Sequence, residues 1–120
     1  MTADPLFDKS VFRILLAELG ADDVVELLDV FIADTSDKID ALTEEYRDRS
    51  RTRREAHAIK SSAATFGFAE LAGLARELER GSGAASETHL EQSVAALRRS
   101  FDATSRFARD QLMRASLETI

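Results

Sequence analysis

Three observations predict an all-α fold. Charged residues make up 32% of the 120 residues, only one proline and five glycines punctuate the chain, and apolar side chains recur every three or four positions over most of its length. A turn-rich β architecture would need more breakers and a period of two. A hydrophobic fraction of 44% in 120 residues is enough for one core and too little for two, so residues 1–120 are expected to form a single domain.

Asp8 can cap a first helix of about three turns, carrying Val11, Phe12, Leu15, Leu16 and Leu19 at helical spacing and ending at Gly20. Asp22 or Asp23 is expected to open a second helix, with Val24, Leu28, Phe31, Ile32, Thr35, Ile39, Leu42 and Tyr46 on one stripe, running to about Asp48. Ser50 is the expected cap of a third, whose narrow seam of Ala56, Ile59, Ala63 and Phe66 stops at Gly67. A fourth follows from about Phe68 to Arg80 with Leu71, Leu74, Ala75 and Leu78 inward. Gly81, Ser82 and Gly83 break it. From Ser86 a last helix carries Leu90, Val94, Leu97, Phe101, Ala108 and Leu112, with a break expected near Thr104 or Ser105. Amphipathic helices joined by short loops bury their stripes best in antiparallel packing, inclined by about 20°. The predicted architecture is an antiparallel up-down-up-down four-helix bundle with a short additional N-terminal helix.

Composition excludes several function classes. With no cysteine there is no disulfide framework and no thiolate metal site, and the opening residues lack the basic and apolar regions of a secretion signal. No apolar run approaches the roughly 20 residues of a membrane helix, so the chain is expected to be cytoplasmic and to engage no membrane. A net charge of −6 speaks against nucleic-acid binding. The charge is uneven: residues 1–50 hold 13 acidic against 5 basic side chains, residues 51–120 hold 9 against 11. The second half can therefore present a mildly basic surface to an acidic partner.

The chemistry concentrates in residues 54–68. At about 100° per residue, with Ile59 at zero, the apolar seam centres near 20° and His57 falls at roughly 160°, so His57 is not a core residue of its helix. Lys60 follows one turn later, and the small Ser61 and Ala64 share that face. A neutral imidazole is a nucleophile at cellular pH, and Lys60 can offset the charge of an arriving phosphoryl group. Arg53 and Arg54 add positive potential, and little more than positioning and electrostatics is needed for phosphoryl transfer.

The whole stretch resembles the histidine phosphotransfer (HPt) family, in which a His-x-x-Lys motif is followed by small residues and a glycine ten positions after the histidine; His57, Lys60 and Gly67 fall in register. The run Ala56-His57-Ala58-Ile59-Lys60 and the later Thr65-Phe66-Gly67-Phe68 are particularly similar to the phosphotransfer domain of chemotaxis histidine kinases. The resemblance implies that His57 is the phosphoacceptor, that Lys60 neutralises phosphate charge, and that Glu79, twenty-two residues after the histidine, hydrogen-bonds Nδ1 and leaves Nε2 free. It implies response-regulator receiver domains and a hybrid histidine kinase as partners, contacted through Arg53, Arg54, Ser61, Ala64, Gly67 and Phe68. The family often has glycine at the positions of Ser61 and Ala64. A monomer without cofactor or metal is expected, a carrier and not a kinase.

Other readings have less support. A di-metal carboxylate bundle needs Glu three residues before an inward-facing His, and neither His57 nor His89 has it. A kinase would need nucleotide loops for which five helices leave no room, so a kinase would hold this chain only as one domain of a longer protein. His89 reads as a surface residue at the start of a helix, Phe66 and Phe68 also as core and loop-packing residues, and Gly67 also as an ordinary helix cap. The remaining alternative is a noncatalytic helical module that binds receiver domains without carrying phosphate.

Overall fold

The computed structural model describes residues 6–113, which form five α-helices and no strand. They are α1 (Lys9–Leu19), α2 (Ala21–Glu45), α3 (Arg49–Phe66), α4 (Ala69–Gly81) and α5 (Glu87–Phe107), with a π-helical segment, Ala108–Met113, continuing α5. No helix among the described residues is long and apolar enough to cross a membrane.

The caps explain most boundaries. Asp8 accepts from the Ser10 amide at 3.1 Å and opens α1; Ser86 accepts from the His89 amide at 3.1 Å and opens α5. Two expected caps are corrected. Gly20 precedes α2 directly, so Asp22 and Asp23 lie inside its first turn, where their charge favours the positive end of the helix dipole. Asp48, not Ser50, caps α3: its carboxylate accepts from the Arg51 amide at 3.1 Å. Because Asp48 serves α3, α2 ends at Glu45, short of the expected Asp48. The Thr52 hydroxyl, fully buried, donates to the Tyr46 carbonyl at 3.1 Å and closes the corner. α4 extends one residue past Arg80 to Gly81. The break expected near Thr104 or Ser105 is absent, since α5 passes both and changes to π geometry only after Phe107.

The stripes meet as expected. Val24, Leu28, Phe31, Ile32, Thr35, Ile39 and Leu42 of α2 are buried, with Ala56, Ile59, Ala63 and Phe66 of α3, Leu71, Ala75 and Leu78 of α4, and Leu90, Val94, Leu97 and Phe101 of α5. Full burial of one such leucine or isoleucine contributes about 1.5–3 kcal/mol. Val11, Leu15, Leu16 and Leu74 are only half-buried, and Leu19 is 41% exposed at the end of α1. α3 and α4 share the most extensive interface; α5 packs on α4 and α2, and α1 lies on α3 and α2.

Rings concentrate at the α3–α4 turn. Phe68 lies 5.4 Å from Phe31, 5.7 Å from Phe66 and 6.1 Å from Phe7, and Phe7 in turn lies 5.6 Å from Phe12 and 4.8 Å from Phe107. Beyond area burial, such ring pairs contribute about 0.5–1.5 kcal/mol each. They fix the end of α3 against the start of α1, and this anchors the helix that carries His57.

Candidate functional site

The seam of α3 dictates where His57 points. With Ala56, Ile59 and Ala63 fully buried, the residue nearly opposite them must face solvent, and the His57 side chain is 60% exposed. Glu79 reaches it from α4. It follows buried Leu78 by one position, so its side chain emerges at the rim of the α3–α4 interface.

The geometry is specific. His57 Nδ1 lies 2.7 Å from Glu79 Oε2, and Lys60 Nζ donates to Glu79 Oε1 at 2.7 Å. An ionised carboxylate only accepts, so Nδ1 carries the hydrogen, and a neutral ring then holds its lone pair on Nε2. The Lys60 hydrogen bond, and after it the His57 hydrogen bond, holds the Glu79 carboxyl below its ordinary value. Glu79 is thus an ionised bridge between the His57 imidazole and the Lys60 ammonium.

Cations surround this bridge. Ser50, Arg53, Arg54, His57 and Glu79 line one shallow depression. A second, sharing Ser50, Arg53 and Glu79, adds Arg49, Lys60, Arg80, Ser82 and Gly83. Arg53 and Arg54 are exposed, as are Ser61 and Ala64 further along α3. No ion pair engages Arg53, Arg54 or Arg80 among the described residues. Sequence reasoning missed Arg49 and Arg80, which reach the site only because two helices meet there. No cluster of three or more His, Cys, Asp or Glu side chains among the described residues is placed to hold a metal ion, and His89 is exposed at the start of α5.

Two expected contact residues are corrected. Phe68 is fully buried in the ring cluster, so it has no surface to offer a partner. Gly67 is buried as well. Its φ of +84° ends α3, with the Phe68 amide donating back to the Ala63 carbonyl at 3.0 Å. Its carbonyl accepts from the Asp8 amide at 2.6 Å, and a Cβ at this position would stand 2.5 Å from the Asp8 carbonyl oxygen. Gly67 therefore seats α1 on α3.

A histidine phosphotransfer role in a phosphorelay follows from the family to which the chain belongs. The chain belongs to the Hpt domain family, whose profile matches residues 26–107. Its fold is similar to the crystal structure of histidine-containing phosphotransfer protein B (HptB) from Pseudomonas aeruginosa PAO1, with a TM-score of 0.85 at 23% identity over 93% of this chain and 98% of that one. No curated protein sequence matches the chain.

Proposed function

We propose that His57 is the phosphoacceptor of a cytoplasmic phosphocarrier domain that exchanges phosphoryl groups with receiver domains of response regulators and of a hybrid histidine kinase. α2 to α5 serve as an antiparallel four-helix bundle, with α1 as the short additional helix. The observation that carries the reading is the 2.7 Å bond from Nδ1 to Glu79 behind a ring open to solvent.

In the forward step Nε2 attacks the phosphorus of a receiver's aspartyl phosphate in line. The new bond is N–P; the bond from phosphorus to the aspartyl oxygen breaks, and that oxygen leaves as carboxylate. The Nδ1 proton stays in its bond to Glu79, whose negative charge offsets the positive charge developing on the ring. Lys60 lies within reach of the same face and offsets charge on the phosphoryl oxygens. Arg53 and Arg54 favour approach of an acidic receiver pocket in a transient contact, and Ser61 and Ala64 leave room for it. The chain acts as a carrier and needs neither nucleotide nor metal of its own.

The test is incubation with a phosphorylated receiver domain. Acid-labile, base-stable label is expected on the wild-type chain and none on His57→Gln, whose stability should lie within about 1 kcal/mol of wild type because the side chain is exposed. Label retained by His57→Gln would overturn the assignment.

A further inference from the structure

We infer that Arg49 is a positioning residue for the His57–Glu79 pair: by tying the segment after α4 to the start of α3, it holds the Glu79 carboxylate against Nδ1. The inference rests on the reading of His57 as phosphoacceptor.

α3 and α4 run antiparallel and are covalently joined only through Gly67 and Phe68, ten residues beyond His57 and eleven before Glu79. Glu79 itself lies two residues from the end of α4, where unsatisfied carbonyls let a helix fray. The following segment, Gly81 to Ser86, has the composition of a flexible loop, and nothing stands within 4 Å of a Cβ placed at Gly81 or Gly83. Side-chain packing therefore does not hold these glycines.

Arg49 supplies the missing constraint. Its Nη1 donates to the Ser82 carbonyl at 3.0 Å and to the Ala85 carbonyl at 2.6 Å, charged-donor bonds of the stronger kind. Ser82, only 1% exposed, turns its hydroxyl back to the Glu79 carbonyl at 3.0 Å. The Ala84 and Ala85 amides both close on the Gly81 carbonyl, at 3.2 and 2.9 Å. A continuous set of bonds thus runs from the first turn of α3 through Ser82 to the backbone of Glu79. Neighbouring arginines do otherwise. Arg47 pairs with Glu87 and Arg51 with Glu45, in exposed ion pairs, and neither side chain forms a hydrogen bond or ion pair with residues 79–85 among the described residues.

The decisive readout is the unphosphorylated site, by 15N NMR of the neutral His57 ring and a carboxyl titration of Glu79, alongside transfer from a phosphorylated receiver domain. The wild type should place the ring hydrogen on Nδ1. Arg49→Ala should move population to the Nε2–H form, return Glu79 toward its ordinary titration, and slow transfer by about ten- to a hundredfold, the scale of a displaced catalytic group. Arg49→Lys, which keeps one cationic donor, should recover part of each change, and Ser82→Ala should reproduce them in smaller measure. Arg47→Ala, which removes a neighbouring cation outside this set of bonds, should change none of them. A wild-type tautomer and Glu79 titration in Arg49→Ala, or in Arg49→Lys and Ser82→Ala together should Arg49→Ala not fold, would overturn the inference. If the tautomer responds as expected but the wild-type chain accepts no phosphate, the phosphoacceptor reading fails while the positioning role stands.

Discussion

Lys60 Nζ is bonded to Glu79 Oε1 at 2.7 Å, so the cation expected to meet the phosphoryl group is engaged before any phosphate arrives. The same carboxylate takes Nδ1 of His57 on its other oxygen. A change in Glu79 therefore reaches both the ring and the lysine at once.

Transfer rates should expose that coupling. Lys60→Ala is expected to slow transfer by about one to three orders of magnitude, the scale for losing one electrostatic stabiliser. Glu79→Gln keeps an acceptor for Nδ1 and should cost less than Glu79→Ala. In a double-mutant cycle of Lys60→Ala and Glu79→Gln the effects on the transfer barrier should depart from additivity by more than about 0.5 kcal/mol, as for residues in contact. Additive effects would show that the ion pair has no part in transfer.

Stability should also report the bridge as pH falls. Glu79 titrates below its ordinary 4.5 in the folded chain because Lys60, and then His57, bind its ionised form. A depressed folded value means that the contribution is complete above 4.5 and is lost as pH falls through the lower folded value. Urea midpoints at neutral pH and near pH 3 should therefore differ less in Glu79→Gln than in wild type. An identical acid loss in both chains would remove Glu79 from the list of acid-sensitive groups.

Two glycines, one just past the end of α3 and one inside α4, should respond in opposite directions. Gly67→Ala forces a positive φ on a residue with a Cβ and drives that Cβ into the Asp8 carbonyl, for an expected loss of about 2–4 kcal/mol. Gly73, inside α4, has open space at its Cβ position, so Gly73→Ala should stabilise by about 0.5–1 kcal/mol through helix propensity alone. Thermal or denaturant unfolding of the two variants checks both signs.

Thr104 offers a fourth test. It is fully buried in α5, and its hydroxyl oxygen has no hydrogen-bond partner among the described residues. Thr104→Val replaces that hydroxyl with a methyl of similar size and should stabilise the fold by about 1–2 kcal/mol, the desolvation cost of an unmet polar group. Thr104→Ser, which keeps the hydroxyl and removes the methyl, should destabilise it.

Much of this molecule is local and was legible in the residue order. Helical periodicity placed Leu28, Ile59, Leu78 and Leu97 inward, all of which are buried, and it set His57 apart from the seam of its own helix. Asp8 and Ser86 announced two helix starts because a cap acts within three residues of itself. The same short range explains why Asp48 and not the expected Ser50 caps α3, since two competent caps two residues apart cannot be ranked by local chemistry.

What the sequence determined by itself was therefore a set of helices, their apolar faces, and an exposed histidine with a lysine one turn away. Which side chains of different helices meet was decided only by the tertiary structure, because inter-helix register depends on how whole faces interlock. That register gives Lys60 a carboxylate partner, brings Arg49 to carbonyls 33 and 36 residues distant, and buries Phe68 among Phe7, Phe31 and Phe66. It also turns Gly67 from a helix end into the seat of α1, since only the folded chain carries the Asp8 carbonyl to within 2.5 Å of where a side chain would begin.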